Sequence, residues 1–262
     1  MEIKKFGDAV WIRQDPVITV RDYRKGQNLV NEQPESTAQQ LLIDHGKYWS
    51  FVSFDLDKVQ TDLKNCLGRW SESGSYEITK AIDPEVFAAM IAGASSDNCG
   101  DTAGIVSNDI ELGTATSGRA VTKANALELL VDCGTVLDEQ NVPEEGRWAI
   151  ISARMAGLIQ KSDLKDAALT GDSTSVIRNG RLGEIARFEL FQSNLLPTTG
   201  LSASEAYVIF GTKAATTFAT QMVSSKIQDD PFGFGQLHRG LNVYGFKVVR
   251  SVGVGYAVAA IG

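Results

Sequence analysis

Apolar and polar positions alternate at the start of the chain, then switch to a three-to-four spacing beyond residue 55. Over residues 9–21, Val10, Ile12, Val17 and Thr19 set an extended pattern, with Pro16 marking an edge position or a bulge. Residues 22–35 are polar and carry Lys25-Gly26 and Gln27-Asn28 as a turn. A second extended stretch covers residues 36–54, rich in Tyr48, Trp49, Phe51 and Phe54. Together the two predict a two-stranded ribbon, an arm of roughly 40 Å. Such a hairpin is marginal alone and needs another surface.

Helical spacing follows. Leu56, Val59, Leu63 and Leu67 predict a short helix. Residues 76–92 predict a longer one, striped by Ile78, Ile82, Val86, Phe87 and Met90 and interrupted at Asp83-Pro84, where we expect a kink in one helix rather than a fresh start. Residues 93–117 read as irregular. Residues 121–140 predict the strongest helix, with Leu127, Leu130 and Leu137 on one face and a stop near Asn141 and Pro143. Beyond it the pattern predicts a strand at 147–151, a helix at 153–160, a polar loop at 161–180 and a strand at 182–192. Then come a strand at 206–210, a helix at 212–223, a Gly-rich loop at 229–240 and two strands within 241–261. The order implies an α+β fold, with the long helices in one domain and 147–235 forming a separate mixed sheet.

The 262 residues suffice for one or two domains. Hydrophobic residues make up 43% and charged ones 22%, a globular rather than disordered balance. No apolar run approaches the roughly 18 residues of a membrane span, and Met1-Glu2-Ile3-Lys4-Lys5 does not read as a signal peptide. A net charge of −7 with scattered Lys and Arg argues against a dedicated nucleic-acid reader. Cys66, Cys99 and Cys133 are far apart, which suits reduced thiols and not a disulfide framework or a zinc site.

Candidate chemistry is thin. Gly113 to Gly118 has phosphate-loop glycine spacing, but Arg119 and Ala120 stand where Lys and Ser or Thr belong. Gly171-Asp172-Ser173 suggests an activated serine only if His45 or His238 serves it, and it lies in a polar loop. Asp229-Asp230 and Glu144-Glu145 read as solvated acids. These residues predict no catalytic, cofactor or metal site. A small hydrolase built on Ser173 is the remote alternative.

Five phrases in order resemble the major capsid proteins of tailed bacteriophages. Residues 4–12 with Thr19-Val20-Arg21-Asp22 are similar to the first strand of that family's extended loop. Asn141-Val142-Pro143-Glu144-Glu145-Gly146-Arg147 resembles its "VP-x-x-GR" phrase. Residues 178–197 resemble its "NG-x-x-G-x-I-x-GF-x-V-x-x-SN-x-LP" segment, with Arg187 where a glycine is usual. Phe210 to Ala215 is similar to the step before the closing loop, and Arg239 to Val249 resembles the "RGL-x-VYG-x-KV" ending.

The resemblance implies a Hong Kong 97-type capsid fold: an extended β-loop at 1–55, a peripheral domain with a spine helix at 56–145, an axial domain at 146–238, and closing strands at 239–262 that return to the peripheral domain. It implies a non-enzymatic subunit, without cofactor, that self-assembles as hexamers and pentamers into an icosahedral shell around double-stranded DNA, with no sequence specificity and no membrane. Portal, scaffold or decoration proteins would be further partners, the location the virion, and the site of assembly the host cytoplasm. An encapsulin-type compartment is the alternative on the same fold. Inter-subunit contact is expected at Val10, Ile12, Val17, Trp49 and Val52. The family carries an N-terminal arm ahead of the extended loop. Residues upstream of Met1, or another protein, are therefore expected to cover Ala81, Phe87, Ala88 and Ile91, which lie off the main stripe of the long helix.

Overall fold

The computed structural model describes residues 9–13, 18–26, 28, 31–33, 35, 38–54, 66–162, 183–198 and 200–261. Its strands form three sheets, and one long helix lies between the two larger ones.

The larger sheet has six strands in the order β4-β11-β8-β5-β7-β6. These are β4 (Arg119–Val121), β5 (Arg147–Ile151), β6 (Glu184–Ile185), β7 (Phe188–Gln192), β8 (Glu205–Thr212) and β11 (Val254–Ile261). Residues Tyr207 to Thr212 are buried without a break, because the sheet is covered on both faces and neither parity of side chain meets water. On one face lie α2 (Ala126–Glu139) and α3 (Ala153–Lys161). Leu129, Leu130, Cys133 and Leu137 of α2 join Ile151, Met155, Phe188, Phe210 and Ala257 in the main core. Each such buried side chain contributes about 1.5–3 kcal/mol.

The second sheet has three strands, β3-β10-β9: β3 (His45–Phe54), β9 (Thr216–Asp229) and β10 (Gly235–Val248). The third pairs β1 (Ala9–Arg13) with β2 (Ala38–Leu42). Val10 of β1 packs with Ile43, Ala219, Leu241 and Val243, so this small sheet lies against the second one.

Helix α1 (Cys66–Gly93) runs unbroken through Pro84, one helix as expected and ten residues longer at its start than residues 76–92. Ile78, Ile82 and Val86 pack on Trp49, Tyr244 and Phe246 of the three-stranded sheet. Phe87, Met90 and Ile91 pack on Trp148, Tyr207, Ile209 and Val258 of the six-stranded sheet. Of the residues expected to meet an upstream arm or another protein, Phe87 and Ile91 are half-buried on the chain's own larger sheet. Ala81 and Ala88 are exposed.

Further expectations change. Residues 212–223 are not a helix; Thr216, Thr217 and Thr220 begin the long strand β9, where β-branched side chains fit a pleated surface. Residues 235–240 are not loop but the first half of β10, and the turn is confined to Asp230–Phe234. Among the described residues the ribbon pairs over fewer positions than expected, β1 with β2, while β3 pairs along its full length with β10. Val121 belongs to β4, in parallel register with Ile261, and α2 starts only at Ala126. That helix packs on the six-stranded sheet, not beside α1, and of the closing strands β10 returns to the three-stranded sheet while β11 enters the middle of the six-stranded one. The apolar stripe of α2 fits the pleated face of that sheet, and α1 is occupied elsewhere.

The phrase Asn141 to Arg147 ends α2 by a double device. Asn141 takes a left-handed φ of 55°, and its N–H donates to Asp138 O at 2.9 Å while Val142 N–H donates to Leu137 O at 3.0 Å. That is the Schellman arrangement with Asn in the glycine place. Arg147, only 2% exposed, then donates to Pro143 O at 3.1 Å, Val142 O at 2.6 Å and Asp138 Oδ1 at 2.7 Å. The buried guanidinium is thus paired, tying the loop carbonyls that follow α2 to Asp138 on its last turn.

Candidate assembly surfaces

The residues assigned to inter-subunit contact separate in the structure. Val10 and Ile12 are half-buried on β1, the former against the second sheet. Val17 lies outside the described residues. Trp49 is half-buried between α1 and β10, stacked on Phe51 at 5.4 Å. Val52 is half-buried opposite Leu237. The structure therefore brings Trp49 and Val52 onto one strand of the three-stranded sheet and leaves Val10 and Ile12 on the two-stranded one.

Between β1 and β2 the chain carries apolar side chains with nothing over them. Ile18, Val20 and Tyr23 are exposed, Val20 at 94%. Thr19 N–H donates to Glu32 Oε2 at 3.2 Å and Arg21 pairs with Glu32 Oε1 at 3.0 Å, tying the outgoing limb to the returning one. The Thr19 backbone N–H is the main reason the Glu32 carboxyl is held below its usual range. The β9–β10 turn is a second such surface. Asp230 N–H donates to Gly235 O at 2.9 Å, and Asp230 Oδ1 accepts from Phe232 N–H at 3.1 Å. That holds Phe232 and Phe234 outward at 97% and 91% exposure, beside exposed Phe54. Sequence reasoning passed over this tip because Asp-Pro and Gly-Phe-Gly read as plain loop; the signal was two phenylalanines placed in a turn.

Groups with chemical potential are tied into the fold. His238 is buried, 3.2 Å from Ser53 Oγ, and its ring stacks on Phe51 at 5.0 Å. His45 stacks on Tyr244 at 5.3 Å and on Phe246 at 5.0 Å. Neither position opens onto a solvent-facing serine, and Ser173 lies outside the described residues. Glu85 accepts from Lys47 Nζ at 2.6 Å and from Tyr244 OH at 2.5 Å. Burial pushes the Glu85 carboxyl up, but the hydrogen bonds from Lys47 and Tyr244 outweigh it and hold it below its usual value. Burial and the Glu85 charge push the Tyr244 phenol up. An acid held ionised and a phenol held protonated form a clip between α1 and the sheet, not a proton relay.

Gly113, with φ of 79°, lies so close to Val258 O that a Cβ there would sit 2.5 Å away, and Arg119 opens the strand β4. A phosphate loop needs a helix at that point. Cys133 is fully buried, its thiol pushed up by burial, while Cys99 is half-buried. Among the described residues no His, Cys, Asp or Glu cluster is placed to hold a metal ion, and no helix is long and apolar enough to cross a membrane.

No protein-family model and no curated protein matches the sequence. Solved structures do. One from Mycobacterium phage Che8 is 23% identical and covers 98% of this chain and 85% of its own, with a TM-score of 0.67. The capsid structure of the Cyanophage P-SCSP1u is 16% identical over 99% of this chain and 85% of its own, with a TM-score of 0.70. The capsid of Ralstonia phage GP4 is 14% identical over 97% and 84%, with a TM-score of 0.65. The chain has the fold of tailed-phage capsid subunits, the α+β Hong Kong 97-type fold that its sequence phrases resemble.

Proposed function

We propose that this chain is the major capsid protein of a tailed bacteriophage, a shell subunit that encloses double-stranded DNA and catalyses nothing. The observation that carries this is the match over nearly the whole chain to capsid structures of phages. The exposed apolar arm and hairpin tip support it, since contiguous apolar surface on a folded subunit marks contact with other chains. In this reading copies assemble as hexamers and pentamers in the host cytoplasm and end in the virion, with portal, scaffold or decoration proteins as further partners. The DNA is held as packed polymer, without sequence recognition, which suits a net charge of −7. The unit of α1 with β3, β9 and β10 would be the peripheral domain, and the six-stranded sheet with α2 and α3 the axial domain.

We assign inter-subunit contact to Ile12, Val17 and Val52, with Val10 and Trp49 serving both their own chain and the neighbour. Electron microscopy of the purified protein tests the function, with closed shells of uniform diameter as the expected result. Val52→Asp should stop shells forming while the subunit stays folded by circular dichroism. Normal sedimentation of shells from that variant would remove β3 from the interface.

A further inference from the structure

We infer that the Ala186–Arg187 turn is a charge-held latch: ion pairs from Arg187 to Asp138 and Glu144 keep a strained hairpin closed on the end of α2, and neutralising those carboxylates frees it. This stands independently of the shell reading.

The hairpin β6–β7 is weak by construction. Its ladder has two pairs, Glu184↔Glu189 and Ile185↔Phe188, and the first sets two acids directly opposite each other. Its turn places Ala186 at φ 51° and Arg187 at φ 66°. Two-residue hairpins want both central residues left-handed, and Gly or Asn adopts that conformation far more readily than Ala or Arg.

What opposes the strain is Arg187. Its Nη2 reaches Asp138 Oδ2 at 2.5 Å, and its Nη1 reaches Glu144 Oε1 at 2.6 Å. Phe188, the next residue, is fully buried and edge-on to Phe210 at 6.1 Å, while β7 pairs in parallel with β5. Opening therefore releases β6 and the turn while β7 stays anchored.

Every charged group around the latch enters its response to pH. Asp138 faces it from α2, Glu144 and Glu145 from the following loop, Arg147 from β5, Glu184 from β6, Glu189 from β7, and Lys213, 3.6 Å from Glu189, from the end of β8. Burial pushes Asp138 up, but hydrogen bonds from Arg187 and Arg147 outweigh it, so its carboxyl is held below the usual value. A depressed carboxyl stabilises fully above its unfolded value, and the contribution is lost as pH falls through the folded one. Arg147 keeps its backbone carbonyls when Asp138 is protonated, so the α2 terminus stays capped and the release is local. Glu184 and Glu189 repel across the ladder, a separate electrostatic contribution that Glu184→Gln removes.

Hydrogen exchange on the full chain tests the latch, corrected for intrinsic rates and referenced to amides of β8. The reporter is the Leu190 amide, which donates to Gly183 O at 3.1 Å. Arg187→Ala keeps the strain and loses the charge, and should lower protection at neutral pH about tenfold. Arg187→Gly loses the charge and the strain at that position, leaving only that of Ala186, and should stay more protected than Arg187→Ala. The parent protein, in the Glu184→Gln background, should keep Leu190 protection down to about pH 4 and lose it as the pH falls further, while β8 holds. The Arg187→Gly variant should not respond. Glu144→Gln, which leaves the turn intact, should fall between parent and Arg187→Ala. Equal behaviour of the Ala and Gly variants, or an acid response that persists in Arg187→Gly, would overturn the proposal.

Discussion

The six-stranded sheet and the three-stranded sheet use apolar residues in opposite ways. In the first, β8 and β11 present buried side chains on both faces, covered by α2 and α3 on one side and α1 on the other. In the second, β3 alternates: Trp49 and Phe51 turn toward α1, while Tyr48 and Phe54 stay exposed. The first unit holds its complement within the chain. The second is covered by α1 on one face and only in part, by Val10 and Ile43, on the other, and with the stretch at Ile18 and Val20 it presents the apolar surface that a neighbour would cover. The difference separates residues that make the subunit from residues that make an assembly.

The largest effect expected is in the closed unit. Phe210 is fully buried between Phe188 and the α2 core. Phe210→Ala should cost about 3–5 kcal/mol, through lost transfer energy and the cavity left behind. Urea unfolding of the subunit measures it. A loss under about 1 kcal/mol would mean that the two-sided covering collapses readily into the gap and is not the rigid half of the molecule.

A smaller effect is expected where the open sheet meets α1. Gly240 lies under the Trp49 indole, and an added Cβ would clash with the ring. Gly240→Ala should cost about 1–3 kcal/mol by overpacking. Hydrogen exchange should localise the damage to β3 and β10 and spare β8 and β11. Uniform loss of protection in both sheets would instead show that α1 couples them into one cooperative unit.

The closed unit is also where the sequence was most legible. β5, α3 and the buried run of β8 follow from local pattern alone, because their partners cover them on every side and composition and burial agree. β9 and β10 were misread for a physical reason. Ala214, Ala215, Ala219 and Met222 mimic helical spacing, and the partner that decides for a strand lies beyond a turn. The first half of β10 hid behind its glycines, which read as loop but stand where other groups come close: Gly235 against Ser53 O, and Gly240 under Trp49. The arm was legible as extended chain, but the identity of its partner was not. A ribbon pattern says that a strand needs a partner, and β3 found its own in a segment nearly two hundred residues away. The family phrases located Arg147 and Arg187, though only the structure shows that the first binds the carbonyls that follow α2 and the second pairs with Asp138 and Glu144.

The smallest effect on folding, and the sharpest on assembly, is expected at the outward side chains. Val20 and Phe232 are almost wholly exposed, so neither loses packing when made polar. Val20→Asp and Phe232→Ser should each leave subunit stability within about 0.5 kcal/mol of the parent. Against a neighbouring copy the same changes bring a charge or a bare hydroxyl into a desolvated contact, where an unpaired polar group costs about 1–3 kcal/mol and an unpaired charge more. A shell repeats that penalty at every copy, so a deficit small for one contact becomes decisive for closure. Urea unfolding gives the first quantity and sedimentation of assembled material the second. Both variants should unfold like the parent and remain as small species. Should they assemble normally, the exposed apolar residues of the arm and of the hairpin tip lie outside the contacts, and the division between a self-sufficient unit and an open one would have to be drawn elsewhere.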